Sequence, residues 1–231
     1  MTIFRFSREI TSKHPELYEY ISQGPIMAWV TYILDWRQRK ATELTGWTKR
    51  QVDNPSEELL SIAQNIPTGE TTDQTMLNIL AFVRRHLQYV PDDVQWNTPE
   101  YWATAEEIIE TWRDDCEGGA LLIYVLARLK GVPANRMLIM AGDVSGGGHA
   151  WLAYMPDEYP LNWAFLDWCY WYNSQSMNMR NLYWVNGVTI HGYIHNGQVV
   201  FGTDSKYIRL WFAFNEDKAH RWIKHRLGDE R

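Results

Sequence analysis

Cys116, His149 and Asp167 are the residues whose types and order could carry covalent chemistry. A thiol that attacks an amide must become a thiolate, and a nearby group must return a proton to the departing amine. Cys116 opens a segment predicted to be helical over roughly residues 116–130, where unpaired backbone N–H groups favour the thiolate. His149 begins a strand-like segment after the turn Gly146-Gly147-Gly148. Asp167 lies near the middle of the next such segment, Trp163–Tyr170. A hairpin between the two sets imidazole and carboxylate on one face, so that Asp167 accepts from one ring nitrogen and leaves the other for the thiol. Gly118 and Gly119 would let a substrate backbone approach closely. Taken singly, each residue has a plainer role: a small buried thiol, an imidazole in a surface turn, a carboxylate satisfying a backbone donor. It is the combination that points to nucleophile, base and orienting acid.

The elements that must position these groups can be traced along the chain. Residues 26–45 read as a helix that is apolar early and charged late, with Gly46 as a stop. Ser56 caps a short helix, EELLSIAQNI, that ends before Pro67. Met76, Leu77, Leu80, Val83 and Leu87 give residues 72–88 one buried helical face. Thr98-Pro99 fits a helix start, and Thr104 with Glu107 forms a capping box for EEIIETW. Ala120, Leu121, Tyr124, Val125 and Leu129 line the helix that Cys116 opens, and Gly131 stops it. Beyond Pro133 the pattern turns to strands, with Asn186-Gly187 and Asn196-Gly197 as hairpin signals. KYIRLWFAF adds a strand, and residues 215–227 read as a terminal amphipathic helix. Helices followed by an antiparallel meander predict an α+β fold. The expected division is a helical N-terminal extension over residues 1–70 and a catalytic core over residues 71–231, together one compact domain.

Composition narrows the function. The 231 residues carry a net charge of −6 with no Lys/Arg stripe, which disfavours nucleic acid as a partner. No stretch approaches the roughly 18 uncharged apolar residues of a membrane span, and the charged start is unlike a signal peptide. A soluble, cytoplasmic protein is expected, with export by another route left open. Two cysteines, Cys116 and Cys169, make neither a four-thiolate zinc site nor a disulfide framework. Cys169 shares strand parity with Asp167 and reads as a buried hydrophobe. His191 and His195 share no face with an acid cluster, which argues against a metal site there. Thirteen tryptophans suit aromatic core packing, with some lining a substrate groove as the alternative.

The stretch YWATAEEIIETWRDDCEGGALL resembles the bacterial transglutaminase-like cysteine peptidase family, as do LQYVPDD, LKGVP, HAWLAY and FLDW. Together these span roughly residues 72–170. The resemblance implies a papain-like core with the Cys helix packed on an antiparallel sheet, and Cys116, His149 and Asp167 in the triad positions. It implies acyl-enzyme chemistry on a protein or peptide amide, with no cofactor required. The oxyanion would be held by the Cys116 backbone N–H and an upstream side chain; Trp102, Gln95 and Trp96 are the candidates. Some family members bind calcium through the acids flanking the cysteine, here Asp115 and Glu117. Gly118 departs from the pattern, standing where a further acid is common, and Trp168 stands where Asn is frequent.

Three functions compete, of which a cysteine hydrolase is the expected one, because hydrolysis prevails among the compact bacterial proteins the chain resembles. A cysteine hydrolase and a transglutaminase share one triad and differ in whether water or an amine resolves the thioester. A Trp-rich binding module that keeps the triad as a relic is the third. Substrate identity and oligomeric state stay open.

Overall fold

The computed structural model describes the backbone of residues 26–157, 162–170, 178–185, 188–195, 198–200 and 207–221. Side chains are described for residues 40–157, 163–170 and 210–219. The fold is α+β, with helices packed on an antiparallel sheet.

The first helix, α1 (Ile26–Asp53), does not stop at Gly46. Ala41, Leu44, Thr48 and Gln51 are buried on one face, and that burial outweighs the cost of about 1 kcal/mol for a helical glycine. Helix α2 (Glu57–Asn65) is capped as the sequence predicts, the Ser56 hydroxyl accepting from the Leu59 N–H at 3.2 Å. Helix α3 (Thr72–His86) buries Met76, Ile79, Leu80 and Val83. Thr98-Pro99 opens no helix. The four-residue α4 (Asp92–Gln95) comes before it, and the Tyr101 N–H donates to the Asp92 carboxylate, holding the intervening chain in an irregular path. The Thr104–Glu107 capping box is present and opens α5 (Ala105–Thr111).

Helix α6 (Cys116–Leu129) is the centre of the molecule; every residue from Cys116 to Ala127 is buried. A helix apolar all round must be enclosed. Residues of α1, α2, α3 and α5 share one core cluster with it, as do Ile139, Leu152, Leu166, Phe212 and Phe214 from the sheet. Gly131, at φ +84°, ends its last turn, as the sequence predicts.

The main sheet comprises β3 (Met137–Val144), β4 (Gly147–Tyr154), β5 (Asn162–Leu166), β6 (Asn178–Val185), β7 (Val188–His195), β8 (Gln198–Val200), β9 (Tyr207–Phe214) and β10 (Ala219–Arg221). Strands β3 to β8 form the expected meander; β9 returns to the free side of β3, and β10 pairs outside it. Strands pair on either side of both Asn-Gly dipeptides, whose own residues lie outside those described. His191 and His195 lie on β7, with side chains outside the described residues. The helix expected over residues 215–227 is not formed in its described part. Asn215 instead donates to the Ala134 and Met137 carbonyls and accepts from the Asp217 and Lys218 N–H groups. That fold-back leads straight into β10; residues 222–227 lie outside those described. Among the described residues no helix is long and apolar enough to cross a membrane.

Two short strands, β1 (Gln88–Tyr89) and β2 (Arg113–Asp114), pair in parallel and set Tyr89 opposite Asp114. Left-handed Trp112, at φ 52°, ends α5 and feeds β2.

A Cβ at position 119 would overlap the Trp168 indole, which packs across the first turn of α6 and donates to the Cys116 carbonyl at 3.3 Å. Gly119→Ala is therefore expected to cost about 1–3 kcal/mol of unfolding free energy, measured by urea denaturation. An unchanged midpoint would mean that the indole moves aside freely.

Candidate active site

His149 and Asp167 are joined, with imidazole Nε2 2.7 Å from carboxylate Oδ2 and both side chains buried. Asp167 does not lie within a strand, as its pattern suggests; it follows the end of β5, where the turn Trp168–Tyr170 begins. An ionised carboxylate can only accept, so Nε2 carries the hydrogen and Nδ1 keeps its lone pair. The imidazole is flanked by Trp151, stacked at 5.9 Å between centroids, and by Tyr170 at 4.8 Å.

Cys116 stands at the N-terminus of α6, directly after Asp115. Its sulfur accepts from the Ala150 N–H at 3.3 Å, which fixes it against β4 at the residue following His149. The thiol itself donates to Glu117 Oε2 at 3.1 Å. The sequence expectation of a thiolate favoured by the helix end is not met in this arrangement. Burial, followed by the charges of Glu117 and Asp115, pushes the thiol well above its ordinary range, and the bond from Ala150 only partly opposes them.

Those acids belong to a larger group. Ligand oxygens of Asp92, Glu100 and Glu117 lie within 4.8 Å of one another, as do those of Asp92, Asp114 and Asp115. Asp92 Oδ1, Asp114 Oδ2, Asp115 Oδ1 and Glu117 Oε1 are buried without a hydrogen-bond partner. Burial first, then neighbouring carboxylates, raises Asp92 to about 6. Burial likewise raises Asp114 to about 7, and lifts Glu117 well above the carboxylate range. Buried, unpaired carboxylate oxygens converging in this way fit a hard divalent cation such as calcium. Gly118 is not a vacancy in this set, because the Asp114 carboxylate packs where its Cβ would be. The glycines at 118 and 119 thus admit Asp114 and Trp168 rather than a substrate backbone.

The other candidates have partners elsewhere. Trp102 donates its indole N–H to Glu100 at 2.9 Å and packs on Trp47 and Phe214. Gln95 donates its amide to the Arg113 carbonyl at 2.7 Å. Trp96 packs at a tilt against Tyr101, its buried indole N–H without a hydrogen-bond partner. Tyr89, not singled out from sequence, is 52% exposed and tilts over Trp168 at 6.0 Å. Burial, and next the charge of Cys116, raises its phenol, which stays protonated. Its position comes from the β1–β2 pairing, a tertiary contact with no local signature. Cys169 lies in the turn after β5 rather than on a strand, and packs partly buried against the core as a hydrophobe. A cleft of about 460 Å³ runs past these groups, lined by Arg84, Tyr89, His149, Trp168, Cys169 and Tyr170, among others.

No family model matches the chain, and no curated protein matches it. Among solved structures it is similar to Legionella pneumophila LapG in EGTA-treated form, at 17% identity over 81% of this chain and 84% of that one, with a TM-score of 0.44. It is similar to calcium-bound LapG of the same organism at 16% identity over 81% and 87%, with the same TM-score of 0.44. A TGase is similar at 10% identity over 72% of this chain and 40% of that one, with a TM-score of 0.37.

In metal-free protein, Asp92 and Asp114 hold protons in the folded state at pH values where the unfolded chain has lost them. Their contribution to stability is full below about pH 4 and is lost as pH rises through their folded values of about 6 and 7. Chelator-treated protein is therefore expected to melt at a lower temperature at pH 8 than at pH 5.5, with Asp114→Asn flattening the difference. Melting curves that rise over this interval, or a slope untouched by the substitution, would contradict the assignment.

Proposed function

We propose that the chain is a cysteine hydrolase that cleaves a peptide or isopeptide amide through a thioester on Cys116. The observation that carries this reading is the 2.7 Å bond from Asp167 to His149, a residue of β4 whose neighbour on that strand, Ala150, holds the Cys116 sulfur at 3.3 Å. In the reaction, the Cys116 proton passes to His149 Nδ1 and the sulfur adds to the amide carbonyl. The developing oxyanion is held by the Cys116 backbone N–H at the helix end and by the protonated phenol of Tyr89. His149 gives its proton to the departing amine, then takes one from the water that resolves the thioester. Asp167 keeps the imidazole in the tautomer this requires.

The acids around Cys116 oppose the first step, since a thiolate would form beside carboxylates that already lack partners. Asp92, Asp114, Asp115 and Glu117, with Glu100, are the residues that would hold calcium. A bound calcium ion would offset their charge and lower the cost of a thiolate. The orphaned oxygens support this, and the reading makes activity depend on calcium through electrostatics rather than through contact with substrate.

The decisive test incubates a proteome-derived peptide library with the protein in calcium. New amino termini are expected with the native chain and none with Cys116→Ala. Glutamine–amine adducts in place of new termini would move the assignment to amine transfer. Equal, slow alkylation of Cys116 in native protein and in His149→Ala, with no product from either, would leave a relic. Asp167→Asn is expected to fold and to lower kcat roughly 10³- to 10⁴-fold, because the imidazole loses its orienting acceptor. Tyr89→Phe is expected to lower kcat about 10²-fold with little change in KM, the cost of one oxyanion donor.

A further inference from the structure

Beside the imidazole, on its cleft side, lies a second thiol that the proposed reaction does not use. A ring nitrogen of His149, a carboxylate oxygen of Asp167 and the sulfur of Cys169 all lie within 4.8 Å of one another. The turn after β5 produces this. The Cys169 N–H donates to Asp167 Oδ1 at 3.0 Å, and the Tyr170 N–H donates to the Asp167 carbonyl at 3.3 Å, which folds Cys169 back over the carboxylate. His149 and Cys169 both line the cleft, so an ion can reach them.

We propose that His149, Asp167 and Cys169 form a site for a borderline-soft divalent cation, Zn²⁺, with its fourth position open to the cleft. One imidazole, one carboxylate and one thiolate suit zinc, whose bonds of about 2.0–2.3 Å set tetrahedral ligand atoms roughly 3.3–3.7 Å apart, a spacing wider than the 2.7 Å between His149 Nε2 and Asp167 Oδ2 and inside the 4.8 Å that spans the trio. Replacing the shared hydrogen by the ion opens the imidazole–carboxylate pair by about half an ångström, and a small shift of the turn brings the Cys169 sulfur to bonding distance. The acids beneath Cys116 offer oxygen and suit a hard ion instead. Cys116 itself is 7% exposed and does not line the cleft. Binding releases the Cys169 thiol proton to solvent. The His149 hydrogen moves from Nε2 to Nδ1, so that Nε2 can give its lone pair to the metal. Nδ1 then carries a hydrogen and cannot accept one from Cys116, so zinc withdraws the base. That inhibitory consequence rests on the hydrolase reading; the binding itself does not.

The test titrates Co²⁺ into the full chain and follows thiolate-to-cobalt absorption in the near ultraviolet, with Zn²⁺ added afterwards as competitor. The band is expected in native protein and in Cys116→Ser, and is expected to be lost in Cys169→Ser and in Cys169→Ala. His149→Ala is expected to weaken binding roughly 100-fold or more, since even outer-shell partners of a metal are worth 10- to 100-fold. Loss of the band in Cys116→Ser, its persistence in both Cys169 variants, an unchanged affinity in His149→Ala, or no band in native protein would each overturn the site. Where turnover is measurable, Zn²⁺ is expected to abolish it in native protein and to do so at least tenfold less readily in Cys169→Ser. Equal inhibition of both would overturn the link to catalysis. A protein that binds Co²⁺ as described but has no turnover would refute the hydrolase reading and leave the metal site standing.

Discussion

Helix α6 carries no polar face along its first three turns, from Cys116 to Ala127. A helix of this kind gains nothing from water on any side, so four helices and the sheet close around it. The reactive end is enclosed along with the rest. Cys116 cannot sit on an exposed loop, and the groups beside it are buried because the helix is. The two glycines near its start let this enclosure complete itself: Asp114 fills the space at Gly118, and the Trp168 indole fills the space at Gly119. One packing requirement therefore delivers the thiol, a carboxylate and an indole to the same few ångströms.

That enclosure sets up an electrostatic contest over the thiol. The positive end of a helix favours an anion by at most about 2 kcal/mol when partly buried. Two like charges about 4 Å apart repel by about 4 kcal/mol at an effective dielectric constant of about 20. Glu117 lies closer to the sulfur than this, at 3.1 Å, with Asp115 adjoining. Burial weighs most against the thiolate and the acids add to it, so the thiol rests protonated, donating to Glu117. The helix dipole is the smaller influence on this thiol; burial and the adjoining acids outweigh it.

Much of this was legible from sequence, and the divisions follow physical lines. Caps made by side chains three residues apart, at Ser56 and at Thr104 with Glu107, are local and were readable. So were the apolar face of α3, the extent of α6 and the α+β order. The extent of α1 past Gly46 was not, since packing across the core overrides a local glycine penalty. The turn at Asn215 was not, because its amide answers to Ala134 and Met137, some 80 residues earlier. The gathering of Asp92 and Asp114 with Asp115 and Glu117 depends on α4 and on β1–β2 pairing, and Tyr89 arrives by the same pairing. The adjacency of Asp115 and Glu117 to Cys116 was plain in the chain; the other oxygens come from elements with no sequence periodicity of their own.

Two donor sets of opposite character lie near the start of α6. On the helix side, oxygens crowd beneath Cys116, several buried without partners. On the cleft side, sulfur and imidazole nitrogen adjoin one carboxylate. Hard cations seek the first set and borderline-soft ones the second, because ligand polarisability rather than net charge discriminates between them. In the proposed hydrolase reading, the two sets would act on different partners of one proton transfer. A cation among the oxygens would ease loss of the Cys116 proton, whereas one on Cys169 would remove the lone pair proposed to receive it. Neither ion has to touch the scissile amide to matter. Which donor set adjoins the thiol and which the imidazole follows from the placement of β4, where the Ala150 N–H meets the Cys116 sulfur one residue beyond His149.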